Sequence, residues 1–248
     1  MLLLIDNTIE GVGSSPREIR SALQKIEPDL RVVTEPFKNI SPEFVKTLSP
    51  SHIILSGQSH PWDEYTPESL AGIFYVIRTA PQPILGVCGG QQQIALAFGA
   101  RVGLIERIAP GQGYDGAFRE RGFSEVQLEA QPDTIFAGLP ETITVWESHC
   151  DEVKELPDEF VRTATNPVSP IQAMQHTTRP LFGVQFHPEL FDEEHPHGQQ
   201  VLRNFLNIQA GGLTFSPDGP SRTNRHTSLR SGARPNREYP LSQSRKYR

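Results

Sequence analysis

Through the first hundred residues, apolar positions fall into short unbroken runs, and between these lie stretches with helical spacing and helix-start signals. Leu2 to Ile5 is an apolar run suited to a strand buried on both faces. Ser15-Pro16-Arg17-Glu18 then reads as a capping box with proline at the first helical position, which predicts a helix over residues 16–27. Leu30 to Thr34 is β-branched and strand-like, and Ser41-Pro42-Glu43 opens a second helix. His52 to Gly57 is another buried strand, Thr66-Pro67-Glu68 starts a third helix, and Pro83 to Val87 supplies a fourth strand.

Beyond Ala100 the pattern shortens to β-like pieces, SEVQL, ITVWESH, FVRTATN, IQAMQH and PLFGVQF, with turn residues between them. A last amphipathic helix, GQQVLRNFLNIQ, reaches its stop at Gly211-Gly212. Capped helices alternating with buried strands predict an α/β fold. Its sheet is doubly wound and mostly parallel, with helices on both faces and hairpins added by the second half. In such sheets ligand chemistry gathers at the carboxyl ends of the strands.

Composition divides the chain in two. The 248 residues carry a formal charge of −6, but residues 211–248 hold seven Arg and one Lys against Asp218 and Glu238, a net of +6 that leaves −12 on residues 1–210. The last 38 residues are rich in Ser, Pro, Gly and Arg without apolar periodicity, so a basic, disordered extension is expected from 211 to 248 and a single folded domain from 1 to 210. An acidic body argues against a nucleic-acid groove on the folded part. The opening MLLLIDN is too short for a signal-peptide core or a membrane span, so a soluble cytoplasmic protein with no membrane partner is expected. Two cysteines, Cys88 and Cys150, permit at most one disulfide, and a domain of this size does not need one.

Cys88 sits where the strand PILGV meets the helix QQQIALAF, with Gly86, Gly89 and Gly90 around it. That is the layout of a nucleophile elbow, with cysteine where hydrolases often place serine. A helix N-terminus favours negative charge on the sulfur. A nucleophile needs a base, and the base needs a group to orient it. FGVQFHPEL offers both, because Pro188 keeps His187 extended and period two then sends His187 and Glu189 to one side. Cys150, beside His149 and without an elbow, reads as a structural thiol.

Gly86-Val87-Cys88-Gly89-Gly90-Gln91-Gln92 and Gly183-Val184-Gln185-Phe186-His187-Pro188-Glu189 resemble the two signatures of the class I, triad-type glutamine amidotransferases. The likeness covers about residues 1–210 and implies a flavodoxin-like fold. VWESHCDEVKELPDEFVRTATNPVSPIQAMQ is similar, more finely, to the glutaminase domain of GMP synthase, with Cys150 where that pattern has Gly. LLLIDN is closer to the amidotransferase subunits of anthranilate and aminodeoxychorismate synthases. The resemblance implies a thiolate at Cys88 attacking L-glutamine, His187 as general acid and base, and Glu189 as its orienter. It also implies oxyanion donors near Gly57 or Gln58 and at Gly89, and substrate contacts from Gln92, Ser148 and His149. Where the family usually has Ser-Gly-Gly, this chain has Ser56-Gly57-Gln58. No P-loop and no ATP-pyrophosphatase loop follows, which implies a separate synthase or synthetase partner for the ammonia.

Other signals count for less. Gly111 to Gly116 matches G-x-G-x-x-G but follows Pro110 rather than a strand, so a loop is expected and no dinucleotide cofactor. Asp192 to Gly198 gathers acids with His195 and His197, but no second ligand cluster with zinc spacing appears, and no metal is expected. Trp62 and Tyr65 suit either the pocket or ordinary loop packing. Two alternatives stay open at this stage: a γ-glutamyl peptide or amine hydrolase with the same triad, and a regulatory binding protein that has lost catalysis.

Overall fold

The computed structural model describes residues 1–106, 114, 116–129 and 134–209. In chain order these form β1 (Leu2–Asp6), α1 (Ser15–Ile26), β2 (Val32–Pro36), α2 (Pro42–Leu48), β3 (His52–Leu55), α3 (Pro67–Thr79), β4 (Ile84–Val87) and α4 (Gly89–Ala97). There follow β5 (Val102–Leu104), β6 (Glu120–Leu128), β7 (Thr142–His149), β8 (Asp151–Val153), β9 (Phe160–Thr165), β10 (Ala173–His176), β11 (Leu181–Val184) and α5 (His197–Leu206).

One nine-stranded sheet has the order β2-β1-β3-β4-β11-β10-β9-β6-β7. Its first five strands pair in parallel, and the remaining pairs are antiparallel. The expected parallel half with hairpins added is therefore the observed architecture. A separate antiparallel pair, β5 with β8, flanks it.

The unbroken apolar strands follow from packing on both faces. Leu2 and Leu4 enter a core with Ile19 and Leu23 of α1 and Leu202 and Phe205 of α5. Leu3 and Ile5 enter the opposite core with Val45 of α2, Ile73 and Ile77 of α3 and Ile94 of α4. Leu2 to Ile5 and Ile53 to Leu55 are each 0% exposed, so every one contributes about 1.5–3 kcal/mol of burial. Among the described residues no helix is long and apolar enough to cross a membrane.

Two of the three expected helix starts form as read. The Ser41 hydroxyl accepts the Phe44 N–H at 3.1 Å and Thr66 accepts the Ser69 N–H at 3.3 Å. The α1 start differs: its cap position is Ser14, which makes no side-chain cap bond. The Ser15 hydroxyl is engaged elsewhere, accepting the Gly57 N–H at 3.1 Å, and so ties the start of α1 to the end of β3. β2 begins two residues later than expected. The Gly211-Gly212 stop and the basic extension from 211 to 248 lie outside the described residues, and of Gly111 to Gly116 only Tyr114 and Gly116 are described.

Candidate functional site

β4 delivers Cys88 to its carboxyl end and the backbone then turns sharply into α4. Cys88 takes φ 51° and ψ −107°, a conformation that costs a non-glycine residue about 1–3 kcal/mol. Close packing enforces the bend. A Cβ on Gly86 would collide with the Gly90 carbonyl, and one on Gly90 with the Leu55 backbone, so α4 starts against β3 at a distance only glycine permits. The Cys88 N–H donates to the Val184 carbonyl at 2.8 Å, which fixes the bend against β11.

The chain leaving β11 does not stay extended as expected: it bends at residues 185–186 and turns at 188–189. Gln185 N–H donates to Gln172 O at 2.8 Å and His187 N–H to Trp146 O at 2.7 Å. Leu190 N–H then donates to His187 O at 3.2 Å, so a turn, rather than strand periodicity, brings Glu189 to the His187 ring. His187 Nδ1 lies 2.8 Å from Glu189 Oε1. With Nδ1–H given to the carboxylate, Nε2 is the ring nitrogen left for the sulfur. His187 is 8% exposed, and the Cys88 sulfur is close enough to act on its ring electrostatically. Burial would lower the His187 pKa, but the Glu189 and Cys88 charges outweigh it and hold the ring well above its ordinary value. Gln185 Nε2 donates to Cys88 Sγ at 3.6 Å.

Cys88 and His187 open onto a cavity of about 520 Å³ that Gln58, Ser148 and His149 also line, with Arg119 and Arg121 among its other walls. The Gly57 N–H is engaged by Ser15. The Gln58 carboxamide lies against Gly89, where an added Cβ would strike its Oε1. Gln58 Nε2 donates to Gln92 Oε1 at 3.1 Å and to the Tyr114 hydroxyl at 3.2 Å. Tyr114 in turn donates to Asp151 Oδ2 at 2.6 Å. Burial first, then the Asp151 charge, raises the Tyr114 pKa. Gln92 is 0% exposed and sits beneath the cavity. Its Oε1 also accepts from Trp62 Nε1 at 2.8 Å, while its Nε2 donates to Asp151 O at 2.8 Å and Gln185 Oε1 at 3.1 Å.

On β7 the inward residues are Ile143, Val145, Glu147 and His149, so an acid and an imidazole occupy core-facing positions. His149 pairs directly across the sheet with Glu120. His149 Nε2 lies 3.1 Å from Glu120 Oε2 and 3.2 Å from Glu147 Oε2, and Nδ1 lies 2.9 Å from Asp151 O. Burial pushes the Glu147 carboxyl up to about 7. Burial would depress His149, but its bonds to Glu120 and Glu147 prevail and push it up to about 10. The donor atoms of Glu120, Glu147 and His149 lie within 4.8 Å of one another, so this is where a metal would find ligands among the described residues. The acid and histidine run from Asp192 to Gly198 is not drawn together in that way. His195 bonds Asp192 at 2.9 Å and stacks on Phe123 at 3.7 Å, while His197 accepts the Thr144 N–H. Trp62 and Tyr65 pack together at 4.9 Å outside the cavity wall.

Sequence reading brought Cys88, His187 and Glu189 together and missed four contributors. Gln185 was legible only as a polar residue in an otherwise apolar run beside His187, because the period-two alternation expected there gives way to bends at 185–186 and a turn at 188–189. Glu147 was legible as an acid in register with Ile143 and Val145. Ser15 on Gly57 and Tyr114 on Asp151 join segments 42 and 37 residues apart, and no local pattern signals such pairs.

The family described as Glutamine amidotransferase class-I matches residues 4–208. The glutamine-hydrolysing subunit of GMP synthase from Pyrococcus abyssi is 36% identical over 210 residues, 84% of this chain and 98% of the relative. Its counterpart from Methanosarcina barkeri is 36% identical over 205 residues, 81% of this chain and 94% of the relative. The crystal structure of a Thermoplasma acidophilum protein described as a GMP synthase subunit superposes with a TM-score of 0.65 at 31% identity, covering 83% of this chain and 93% of that one. A glutamine amidotransferase from Thermotoga maritima shares the fold at 19% identity and a TM-score of 0.61, covering 83% and 96%.

Proposed function

Since the chain belongs to the class I glutamine amidotransferases, we propose that it hydrolyses L-glutamine to glutamate and ammonia and passes the ammonia to a separate synthetase subunit. The observation that carries this reading is the strained Cys88 bend, with the His187–Glu189 pair closed against its sulfur. The relatives named as glutamine-hydrolysing subunits of GMP synthase support the partner, and match this chain over nearly their whole length.

In the proposed reaction the Cys88 thiolate attacks the γ-carboxamide carbon. The C=O π electrons move onto oxygen and return as the C–N bond breaks. His187 gives its proton to the departing nitrogen, so ammonia leaves and a γ-glutamyl thioester remains. His187, now neutral, takes a proton from water as that water attacks the thioester, and glutamate leaves with the thiolate restored. Glu189 holds the imidazole by Nδ1 and stabilises its charged form. The Gln185 amide faces the sulfur and stabilises the thiolate at 3.6 Å. For the tetrahedral oxyanion, the Gly89 N–H at the start of α4 and the Gln58 backbone N–H are the proposed donors. Gly57 is the weaker candidate, because Ser15 already engages its N–H. Ser148 and His149 border the cavity as proposed substrate contacts, His149 through its backbone because both its ring nitrogens are already engaged. Gln92 serves the site from below by fixing Gln58 and Gln185.

The family match ends at residue 208, which supports a catalytic domain over residues 1–210 and a basic extension over 211–248. We assign the protein to the cytoplasm, where glutamine and an ATP-dependent synthetase partner would meet.

Glutamate release from glutamine tests this reading. Wild-type protein, with the partner added if the free chain is slow, should release glutamate, and Cys88→Ser should lose at least about 10³-fold in turnover while melting at a similar temperature. Unchanged release by Cys88→Ser would refute the assignment. A panel of γ-glutamyl peptides and amines run beside glutamine should show preference for glutamine, and the opposite preference would make the protein a γ-glutamyl conjugate hydrolase.

A further inference from the structure

The buried group of Glu120, Glu147 and His149 is left unexplained by glutamine hydrolysis. Two carboxylates converge on one imidazole nitrogen, and only one of them is in hydrogen-bonding alignment with it. Glu120 Oε2 is hydrogen-bonded to His149 Nε2 at 3.1 Å, and Asn166 Nδ2 holds its other oxygen at 2.7 Å. Glu147 Oε2 is as near, at 3.2 Å. It lies out of hydrogen-bonding alignment, and neither Glu147 oxygen has a hydrogen-bond partner among the described residues. The residue is 0% exposed, so bulk solvent does not reach it. A buried carboxylate held only by one unaligned ion pair, with its second oxygen unpartnered, is unfavourable.

A second acceptor points the same way. Gln172 is 0% exposed, its Oε1 is also without a partner, and its amide lies 3.5 Å from Glu120 Oε2. The surroundings are therefore rich in acceptors and short of donors. His149 is oriented as ligating histidines commonly are: Nδ1 faces the Asp151 carbonyl at 2.9 Å, which leaves Nε2, once its proton is displaced, as the nitrogen that faces the two acids. Atoms bound to one small divalent cation at about 2.0–2.2 Å lie roughly 3.0–3.5 Å apart, and the two Nε2 to carboxylate distances, 3.1 and 3.2 Å, fall in that range.

From this the geometry points to a binding site for a divalent transition cation of the zinc class, held by His149 Nε2, Glu120 Oε2 and Glu147 Oε2. The cation replaces the Nε2 proton and serves both carboxylates at once, which a single proton there does not. One nitrogen and two oxygens favour zinc, cobalt or manganese over calcium. His149 borders the cavity, which gives the ion an entry path. The role is structural: the ion clamps the end of β7 to β6 and fixes the turn that carries Ser148, Cys150 and Asp151 into the cavity wall.

Equilibrium dialysis of the full-length chain against zinc, followed by elemental analysis, tests this independently of any glutaminase activity. The Cys88→Ser background removes the thiol and imidazole pair that would also take zinc. About one zinc per chain is expected there, with a rise in melting temperature on zinc addition. Adding Glu147→Gln, which keeps the side-chain volume, should weaken zinc binding at least tenfold and abolish that rise, while the metal-free melting temperature shows whether the variant is folded. Cobalt provides a second readout: its visible bands should appear without the near-ultraviolet charge-transfer absorption of a thiolate, which excludes Cys150 as the ligand. Failure of the Cys88→Ser protein to retain zinc, equal affinity in Glu147→Gln, or a thiolate signature with cobalt would each overturn the site, leaving a buried pair that holds a proton instead.

Discussion

At the scale of single residues, His187 carries the burden of the chemistry and its charge is set by its neighbours. Its pKa stands above the ordinary value because Glu189 and Cys88 favour the imidazolium against burial, so the proton needed by departing ammonia is retained as pH rises until that elevated pKa is passed. Replacing Glu189 by Gln removes the larger of the two favourable charges. The alkaline limb of kcat/KM against pH should then move to lower pH, with turnover at neutral pH down roughly 10–10³-fold; an unmoved limb would mean that Glu189 does not set the charge of His187. Gln58 is the residue at which this chain departs from the Ser-Gly-Gly of its family resemblance. Its carboxamide, chemically the same group as the substrate's, rests over Gly89 and is held by Gln92 and Tyr114. Glutamine must compete with it. Gln58→Gly should lower KM about 2–10-fold, the equivalent of one net hydrogen bond, as read from initial rates over a range of glutamine concentrations, whereas a raised KM would identify Gln58 as a substrate contact.

At the scale of elements, the site is produced by how closely α4 is packed against β3. Gly90 approaches the Leu55 backbone so nearly that a methyl group has no room, and that contact aims the start of α4 and with it the sulfur. Gly90→Ala should therefore cost about 1–3 kcal/mol of stability, measurable by denaturant titration, and should reduce turnover more than the destabilisation accounts for. The strands and helices of the first half were legible because their periods, caps and breaks are local. Leu2 to Ile5, Ser41 and Thr66 each announce their structure within four residues. The cap of α1 departs from its sequence signal for a reason outside its own segment: the Ser15 hydroxyl is drawn to Gly57, and the helix start moves one residue earlier. The sheet order of the second half was not legible either, since β6 reaching both β7 and β9 depends on pairings between distant strands. The identities of β6, β7, β9, β10 and β11 were, because their apolar patterns are local, whereas the three-residue β5 and β8 were too short to show one.

At the scale of the whole molecule, the parallel half and the antiparallel half meet at β11, and the candidate site lies on that seam. Cys88 comes from β4 in the parallel half, His187 and Glu189 from the segment after β11, and the Trp146 carbonyl that holds His187 from β7 at the far edge of the sheet. The sequence placed the three candidate catalytic residues in one site because each motif carries its own geometry. It did not disclose the cavity wall, which is assembled from segments with no shared pattern. The two halves have to be docked before the thiol meets its imidazole, so the account stands or falls on what happens at Cys88. Intact-protein and peptide mass spectrometry of enzyme quenched in acid during turnover with glutamine is the most direct measurement. A glutamyl group in thioester linkage on the Cys88 peptide, absent from Cys88→Ala, is the predicted result. A glutamyl adduct on Cys150, or steady glutamate release by Cys88→Ala with no adduct at all, would contradict it.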